Sequence, residues 1–482
     1  MTELAHQTAL ELAAKVRNRE VSSVELTELY IDRIERLDGD INAVVVRTFD
    51  DALTRAREAD VALARGASLG PLHGVPMTIK ESYAIGGTRT TWGNELFRDN
   101  VARADGLAVQ RFRAAGAHFL GKTNVPVDLA DFQSFNPIYG TTGNPWNVER
   151  TPGGSSGGSA AALAAGFTAL EAGSDIGGSI RNPAHFCGVF GHKPTYAVIP
   201  MSGHELVEGI PDADLAVCGP LARGADDLHL ALDIMAGPAP REALAWRLDL
   251  PAADFERLAD LRVALWPTDP LAPVAEEIAE RVALIGEVLE RAGATVSRDA
   301  RPDFDLAAAD RNYQTLLNAV MTGAMTAEAE ARMLKVVDGL TPDDVSRDAV
   351  SARASVMRHR EWIRTNTRRE KLRHAWARFF EDWDILVCPQ MATTAFPHDH
   401  RPFGERTIDV DGVAQPYFQQ LLWAGMVVNA YLPSTVFPTG PSKDGLPIGL
   451  QAVSAPYRDH RTIAFAGQIC AEVGGFVPPP GY

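Results

Sequence analysis

Two loops rich in glycine and serine, separated by one short helix and one short strand, constrain this sequence more than any other feature. The first loop reads GGSSGGS (153–159) and the second reads GSDIGGS (173–179). Between them, AAALAAG (160–166) is typical of an alanine-rich helix that ends at a glycine, and FTALEAG (167–173) is typical of a strand. Because a helix and a strand return the chain to the same end of a sheet, we expect the loops to meet where α/β folds bind ligands.

Short apolar segments alternate with helical patterns through most of the chain, which predicts an α/β fold with helices layered on a sheet. Neither a tandem repeat nor a low-complexity linker divides the 482 residues. We therefore expect one domain over 1–482, with a helical insertion at about 320–380. Besides the elements between the two loops, the predicted strands are 74–80, 117–122 and 384–389, and the predicted helices lie within 8–65, 105–115, 275–292, 325–380 and 459–472.

The formal net charge of −16 is the feature of composition with the clearest consequence for partners. Nucleic acids and anionic membranes are bound by clustered Lys and Arg, so neither is an expected partner. The four cysteines show no CxxC spacing, and residues 1–20 lack the apolar stretch of a signal peptide. No run of about 18 uncharged apolar residues is present. We therefore expect a cytoplasmic protein without a membrane span.

Residues 116–123 (GAHFLGKT) match the phosphate-binding pattern GxxxxGK[ST]. In a true phosphate-binding loop, a strand precedes the glycines and a helix follows them. Here a predicted helix ends at Gly116, and an apolar strand fills the loop positions. The order is reversed, so we interpret the match as chance and expect no nucleotide site.

The sequence contains two clusters of potential metal ligands, but in neither cluster does the spacing of the ligands match a known zinc framework. One combines His185, Cys187 and His192 with the more distant Cys218, and the other is HDH at 398–400. Both clusters have a simpler explanation. The cysteines would pack as small core residues, and the histidines would lie on the surface or support neighbouring residues. We expect no metal and no other cofactor.

Ser179 follows two glycines, whose backbone N–H groups would lie unobstructed near its hydroxyl. Donors fixed where negative charge develops are what an oxyanion hole needs. A serine nucleophile also needs a base, yet the GxSxG pattern that accompanies a catalytic histidine is absent. Lys80, at the end of a predicted apolar strand, is an alternative base if burial lowers its pKa from about 10.4. With Ser155 in the first loop, these residues predict a serine hydrolase.

The same segments resemble the amidase signature family closely. The similarity covers most of the chain and is densest between about 70 and 220, the predicted signature core. The segments that carry it are GVPMTIKES (74–82), GKTNVP (121–126), YGTTGNPWN (139–147), GGSSGGSAAALAAG (153–166), GSDIGGSIRNPAHFCGVFGHKPT (173–195) and GLPIGLQAV (445–453).

This resemblance implies a Ser–cis-Ser–Lys triad. Lys80 would be the general base and acid, Ser155 the bridging serine after a cis peptide bond, and Ser179 the nucleophile. It also implies a mixed β-sheet between α-helices in one large domain, an acyl-enzyme and no cofactor. The implied oxyanion-hole amides are those of Ile176, Gly177, Gly178 and Ser179, and the implied supporting residues are Ser156, Asp175 and Arg181.

The substrate follows less directly from the sequence. Segment 124–136 lacks the pattern that we associate with the A subunit of glutamyl-tRNA amidotransferase, and it resembles stand-alone amidases instead. We therefore expect hydrolysis of a small or medium, apolar or aryl amide. Cleavage of a carbamate or an ester is an open alternative, and a role as an amidotransferase subunit is disfavoured. The sequence also leaves open whether the protein forms a homodimer. The residues predicted to line the pocket are Leu129, Phe132 and Phe135, with Tyr313, from the stretches 129–136, 201–218 and 313–325.

Overall fold

A mixed β-sheet of eight strands forms the centre of the part of the protein that the structure describes, residues 2–207 and 209–482 of a computed structural model. A three-stranded sheet packs against it. The strands are β1 (Val44–Arg47), β2 (Pro76–Lys80), β3 (His118–Thr123), β4 (Phe135–Asn136), β5 (Gly140–Thr141), β6 (Glu171–Asp175), β7 (Phe190–Lys193), β8 (Val217–Ala222), β9 (Arg262–Leu265), β10 (Thr295–Ser297), β11 (Ile385–Pro389), β12 (Thr407–Val410), β13 (Val413–Pro416), β14 (Ser434–Pro441) and β15 (Pro447–Val453). The α-helices are α1 (Thr2–Ala5), α2 (Ala9–Arg17), α3 (Ser23–Ile41), α4 (Phe49–Ala64), α5 (Leu107–Ala114), α6 (Gly157–Ala164), α7 (Arg181–Cys187), α8 (Ala225–Met235), α9 (Glu276–Ala292), α10 (Leu306–Met321), α11 (Ala327–Asp338), α12 (Arg347–Ser355), α13 (His359–Asp382), α14 (Leu421–Asn429) and α15 (Asp459–Val473).

The large sheet has the strand order β10-β9-β11-β15-β14-β7-β8-β6. Its first three strands run parallel, and every later neighbour pairs antiparallel. Helices pack on the sheet: α8 contacts β8, α15 contacts β14, α9 contacts β11, and α7 contacts β14 and β15. The predicted α/β fold, with a mixed sheet between helices in one domain, is confirmed.

The small sheet holds the end of β2 against β6 of the large sheet. Strand β3 pairs with β1 antiparallel and with β2 parallel. The Thr78 amide donates to the Thr168 hydroxyl at 2.8 Å, and the Thr78 hydroxyl donates to Glu171 Oε1 at 2.6 Å. These bonds join the two sheets and place Lys80, the last residue of β2, close to the second glycine-rich loop.

Helix α6, between the two loops, is buried at every position, which explains its alanine and glycine composition. A side chain at Gly158 would place Cβ 2.3 Å from the amide nitrogen of Asn124. The helix begins at Gly157, so part of the first predicted loop is helical. Gly166, at φ +67°, then ends the helix in a left-handed turn. The residues after this turn return the chain to the sheet, and the strand predicted at 167–173 starts only at Glu171.

The N-terminal region is helical except for one strand that the sequence pattern did not indicate. Ser22 and Glu25 form a capping box at the start of α3. Strand β1, however, interrupts the helices predicted over 8–65. Its four residues are too few to show a period of their own, and the strand is stabilised by pairing with β3.

Residues 116–123 form no phosphate-binding loop, as the order of elements predicted. Helix α5 ends before Gly116, and strand β3 occupies the positions that would cradle a phosphate. The Lys122 ammonium donates to the Thr90 hydroxyl at 2.8 Å and to the carbonyl of Arg89. This lysine is therefore engaged by the protein itself.

Helices α10 to α13 fill the region in which an insertion is predicted, and α10 packs against α14. A side chain at Gly425 of α14 would place Cβ 2.2 Å from the Tyr313 ring of α10. The Tyr313 hydroxyl donates to the carbonyl of Ile176 at 2.9 Å, so this helix contact reaches the second loop. Among the described helices, none combines the length and the apolar character needed to cross a membrane.

We predict that Gly425→Ala destabilises the protein by about 1–3 kcal/mol, because the added methyl overlaps a buried ring. The matched control is Gly39→Ala on α3, where a Cβ would meet nothing within 4 Å. That change should leave stability unchanged or raise it by about 0.5–1 kcal/mol through a better helix propensity. Urea unfolding of both variants measures the difference, and equal midpoints would contradict the packing argument.

Candidate active site

Lys80 is wholly buried and donates hydrogen bonds to two serine hydroxyls, one from each glycine-rich loop. Its ammonium lies 2.7 Å from Ser155 Oγ and 3.0 Å from Ser174 Oγ. Exposure rises from 0% for Lys80 through 1% for Ser155 to 8% for Ser179. The lysine therefore lies deepest, and Ser179 is the member of this group that an incoming molecule meets first.

The environment of Lys80 favours its neutral form. Burial lowers the pKa of Lys80 to about 7, although the nearby carboxylate of Asp175 opposes the shift. Glu171, which accepts the Thr78 hydrogen bond, is also buried, and burial raises its pKa to about 8. Near neutral pH, a large fraction of Lys80 is thus unprotonated and able to accept a proton.

The two glycine-rich loops meet, as their spacing predicted. The Gly154–Ser155 peptide bond is cis, as the family resemblance implies. The amide of Ser156 donates to the carbonyl of Ser179 at 3.0 Å. The amide of Gly154 donates to Asn182 Oδ1 at 2.9 Å, which ties the first loop to the start of α7. The loops are therefore linked by direct hydrogen bonds on both sides of Ser155.

A buried ion pair shapes the second loop. Arg181 donates to both oxygens of Asp175, from Nη2 at 2.9 Å and from Nε at 3.0 Å. Asp175 also accepts from the amides of Gly178 (2.8 Å) and Ile180 (3.1 Å). Although burial alone would raise it, the charge of Arg181 holds the pKa of Asp175 at about 2. Arg181 Nη1 reaches Gln451 Oε1 on β15 at 2.9 Å, which anchors the loop to the central sheet.

Four backbone amides were expected to form an oxyanion hole, and the structure gives one of them another partner. The Gly178 amide donates to Asp175 and is not free for a ligand, because the loop folds around that carboxylate. Within the described residues, the amides of Ile176, Gly177 and Ser179 have no hydrogen-bond acceptor. These three remain available as donors beside the Ser179 hydroxyl.

Two of the predicted pocket residues, Phe132 and Phe135, pack against the later segment that contains His400 and Tyr417. Phe132 is buried, and its ring centroid is 5.7 Å from that of Tyr417. Phe135 stacks on His400 with centroids 3.9 Å apart. Leu129 is half-buried at the end of a 3₁₀ helix. Their contact with a substrate stays a prediction.

A hollow of about 770 Å³ adjoins these aromatic residues, because His400 and Tyr417 belong to its lining. It is lined chiefly by 393–401 and 407–411, and none of Lys80, Ser155 and Ser179 borders it. This hollow therefore has no direct part in the chemistry of the two loops.

The histidines of the first predicted cluster are engaged by the protein around them. His185 accepts from the Gly449 amide at 2.7 Å, and its other ring nitrogen lies 2.9 Å from the carbonyl of Thr393. His192 lies between β14 and Asp459, with its Nε2 3.2 Å from the carboxylate. Both rings thus connect neighbouring elements of the sheet region.

A different group, His229, Asp233 and His460, places potential ligand atoms within 4.8 Å of one another. The spacing of the first two on α8 was visible in the sequence, but His460 comes from the distant α15. The two imidazole rings meet edge to face, with their centroids 4.2 Å apart. His460 Nε2 lies 3.2 Å from Asp233 Oδ1, which is the geometry of an ion pair.

Two residues near the loops were not predicted. Ser174 was visible within the second loop, but only the structure shows that it accepts a hydrogen bond from Lys80. Gln390 follows β11, far along the chain, and is buried beside Gly178. No local pattern around Gln390 indicated this position.

We predict that Arg181→Met destabilises the protein by about 3–5 kcal/mol, because it leaves the Asp175 carboxylate buried without its counter-charge. The control is Arg36→Met, which breaks the exposed pair with Asp32 and should cost under about 1 kcal/mol. Urea unfolding measures both. A loss at Arg181 no larger than at Arg36 would show that the second loop does not depend on the pair.

Comparison with known proteins gives one consistent assignment. The sequence pattern of the family described as Amidase matches residues 25–463. An indoleacetamide hydrolase of Bradyrhizobium diazoefficiens is 34% identical over 96% of this chain and 86% of its own. The A subunit of the glutamyl-tRNA(Gln) amidotransferase of Thioalkalivibrio sulfidiphilus is 33% identical over 96% of each chain.

Solved structures agree with this assignment. A 6-aminohexanoate cyclic dimer hydrolase complexed with substrate superposes with a TM-score of 0.79, at 27% identity over 99% of both chains. Fold, loops and sequence similarity thus lead to the same conclusion: the protein belongs to the amidase signature family and is an amidase that acts on carbon–nitrogen bonds.

Proposed function

We propose that this amidase hydrolyses a small or medium, apolar or aryl carboxylic amide through an acyl-enzyme on Ser179. The observation that carries the proposal is the 2.7 Å contact between the wholly buried Lys80 ammonium and Ser155 Oγ, where the two loops meet. A base in this position, with a pKa near 7, suits an enzyme that works near neutral pH.

In the first step, neutral Lys80 accepts the proton of the Ser155 hydroxyl as Ser155 accepts that of Ser179. The Ser179 oxygen then forms a bond to the amide carbon, and the carbonyl π electrons move to oxygen. The buried relay requires no histidine, which agrees with the absence of a GxSxG pattern.

The oxyanion formed in this step needs donors that are already in place. We assign that role to the amides of Ile176, Gly177 and Ser179, which have no other acceptor within the described residues. Asp175 and Arg181 act as positioning residues, because their ion pair fixes the backbone between them. Ser156 supports the same arrangement, because its backbone amide donates a hydrogen bond to the Ser179 carbonyl.

The second half of the reaction returns the proton. The C–N bond breaks as the relay delivers a proton to the leaving nitrogen, and the acyl group stays on Ser179. Water then attacks the ester carbon while its proton passes to Lys80 by the same route. The acyl–oxygen bond to Ser179 breaks as the relay returns that proton to the Ser179 oxygen, and the carboxylic acid leaves. No step requires a metal or an organic cofactor.

The apolar wall at Phe132 and Phe135 and the similarity to an indoleacetamide hydrolase support an apolar or aryl substrate. Carbamates and esters would enter the same acyl chemistry. The similarity to amidotransferase A subunits favours a second candidate, in which the chain supplies ammonia within a complex. Release of ammonia from an aryl-acetamide by the purified chain alone supports the first candidate. We also expect a cytoplasmic enzyme, and a homodimer stays open.

We predict that Ser179→Ala abolishes amide hydrolysis and covalent labelling by a fluorophosphonate, since no nucleophile remains. The control is Ser68→Ala, an exposed serine far from the loops in sequence, which should retain full labelling and turnover. Peptide mass spectrometry identifies the labelled residue. Labelling of another serine in the Ser179→Ala protein would disprove the nucleophile assignment.

We predict that kcat/KM rises with pH up to about 7 and levels off above it, because only neutral Lys80 accepts a proton. Below that pKa the slope should approach tenfold per pH unit. Lys80→Met should lower kcat by about 10²–10⁴-fold and remove the rise. The exposed Lys443 provides the control Lys443→Met, which should keep the wild-type profile. A Lys80→Met profile that still rises near pH 7 would assign the titration to another group.

A further inference from the structure

Gln390 is wholly buried, and both polar atoms of its side chain lack a hydrogen-bond partner among the described residues. Leaving a buried carboxamide unpaired costs free energy, so such a group in a well-packed protein needs an explanation. The neighbouring carboxamides show what is usual here. Gln451 donates to the carbonyls of Pro389 and Trp423 and accepts from Arg181, so both ends of its side chain are paired.

The position of Gln390 connects it to the active site. A Cβ built at Gly178, the residue before the nucleophile, would lie 2.6 Å from Gln390 Nε2 and 3.2 Å from the Ala424 methyl. The same point lies 3.9 Å from the Cβ of Asn182, whose Nδ2 also has no partner among the described residues. Two side chains that carry unpaired amide atoms, Gln390 and Asn182, thus lie beside the backbone at Gly178.

The side of the scissile bond that Gln390 faces follows from the proton relay. The leaving nitrogen must lie near Ser155, because the relay delivers its proton there. Gln390 neighbours Gly178 and Ala424 and forms no hydrogen bond with Lys80 or Ser155. Because Gly178 precedes the residue that carries the acyl group in the proposed mechanism, the acyl part of the substrate is the part that Gln390 would meet.

We propose that Gln390 is a specificity-determining residue that hydrogen-bonds a neutral polar group on the acyl part of the substrate. The inference rests on the proposed function and narrows its substrate class. A carboxamide presents a donor and an acceptor together, and its complement is a group that accepts and donates, such as a hydroxyl or a second carboxamide. A carboxylate would face the Gln390 oxygen, and an ammonium would face its NH₂, so a charged group fits less well. The preferred substrate is then a largely apolar amide with one neutral polar group close to the scissile carbonyl.

The test compares amides of matched size. Hydroxyacetamide is paired with propionamide, and malonamide with 3-methylbutanamide, and ammonia release gives kcat/KM for each. We expect wild type to prefer the polar member of each pair by about tenfold, the factor that one hydrogen bond to a neutral group provides. Gln390→Met keeps the length of the side chain. In this variant the ratio of kcat/KM between the polar and the apolar amide should fall towards one, mainly because KM for the polar amide rises. The kcat/KM of the apolar amides should stay within about threefold of wild type.

The control is Gln415→Met, which removes a half-buried glutamine that donates to the carbonyl of Pro273 outside the loops. It should preserve the wild-type ratio. Where turnover of these small amides is slow, their ability to protect Ser179 from a fluorophosphonate gives the same ratio as relative affinities. A wild-type ratio near one, or an unchanged ratio in Gln390→Met, overturns the inference and indicates that water pairs with Gln390. Loss of Ser179 labelling in wild type would instead refute the proposed function itself.

Discussion

The ion pair between Asp175 and Arg181 is the interaction on which the rest of the site depends. Neither charge reaches solvent, so each is stable only because the other is present. Asp175 directs the amides of Gly178 and Ile180 inward, which turns the backbone around Ser179. Arg181 continues to Gln451 in the middle of the large sheet. The backbone at the nucleophile is thus anchored to the central sheet, as preorganised donors require.

Burial of Lys80 is the second constraint, and it explains the unusual composition around the loops. A lysine acts as a base near neutral pH only where water is kept away from it. Helix α6 achieves this with alanine and glycine, which let it pack closely against the small sheet. Two serine hydroxyls then accept the hydrogen bonds of the buried amine. The motif therefore supplies both the reacting groups and the close packing that gives the lysine its pKa.

The sequence predicted most of this arrangement because its essential parts are local. The loops flank one helix and one strand, so their meeting followed from their order. The engagement of the Gly178 amide could not be predicted, since it depends on the rotamer of Asp175. Gln390 could not be predicted for another reason, because it comes from a distant part of the chain that only tertiary packing brings to the loop. Strand β1 likewise exists through its pairing with β3.

The separation between the residues of the two loops and the residues from distant elements suggests how one fold serves substrates as different as those named for its relatives. The groups assigned to the chemistry all lie between Lys80 and Arg181, and the bond from Arg181 to Gln451 anchors them to the central sheet. The second loop is covered from outside by Tyr313, Gln390 and Ala424, which belong to three later elements. If Gln390 meets the acyl group as proposed, a substitution in this cover would change the contacts of that group while Lys80 and its two serines keep theirs. Specificity can therefore diverge at these positions while the buried lysine and its serines stay fixed, and an unpaired glutamine in the cover is the kind of difference by which such divergence would proceed.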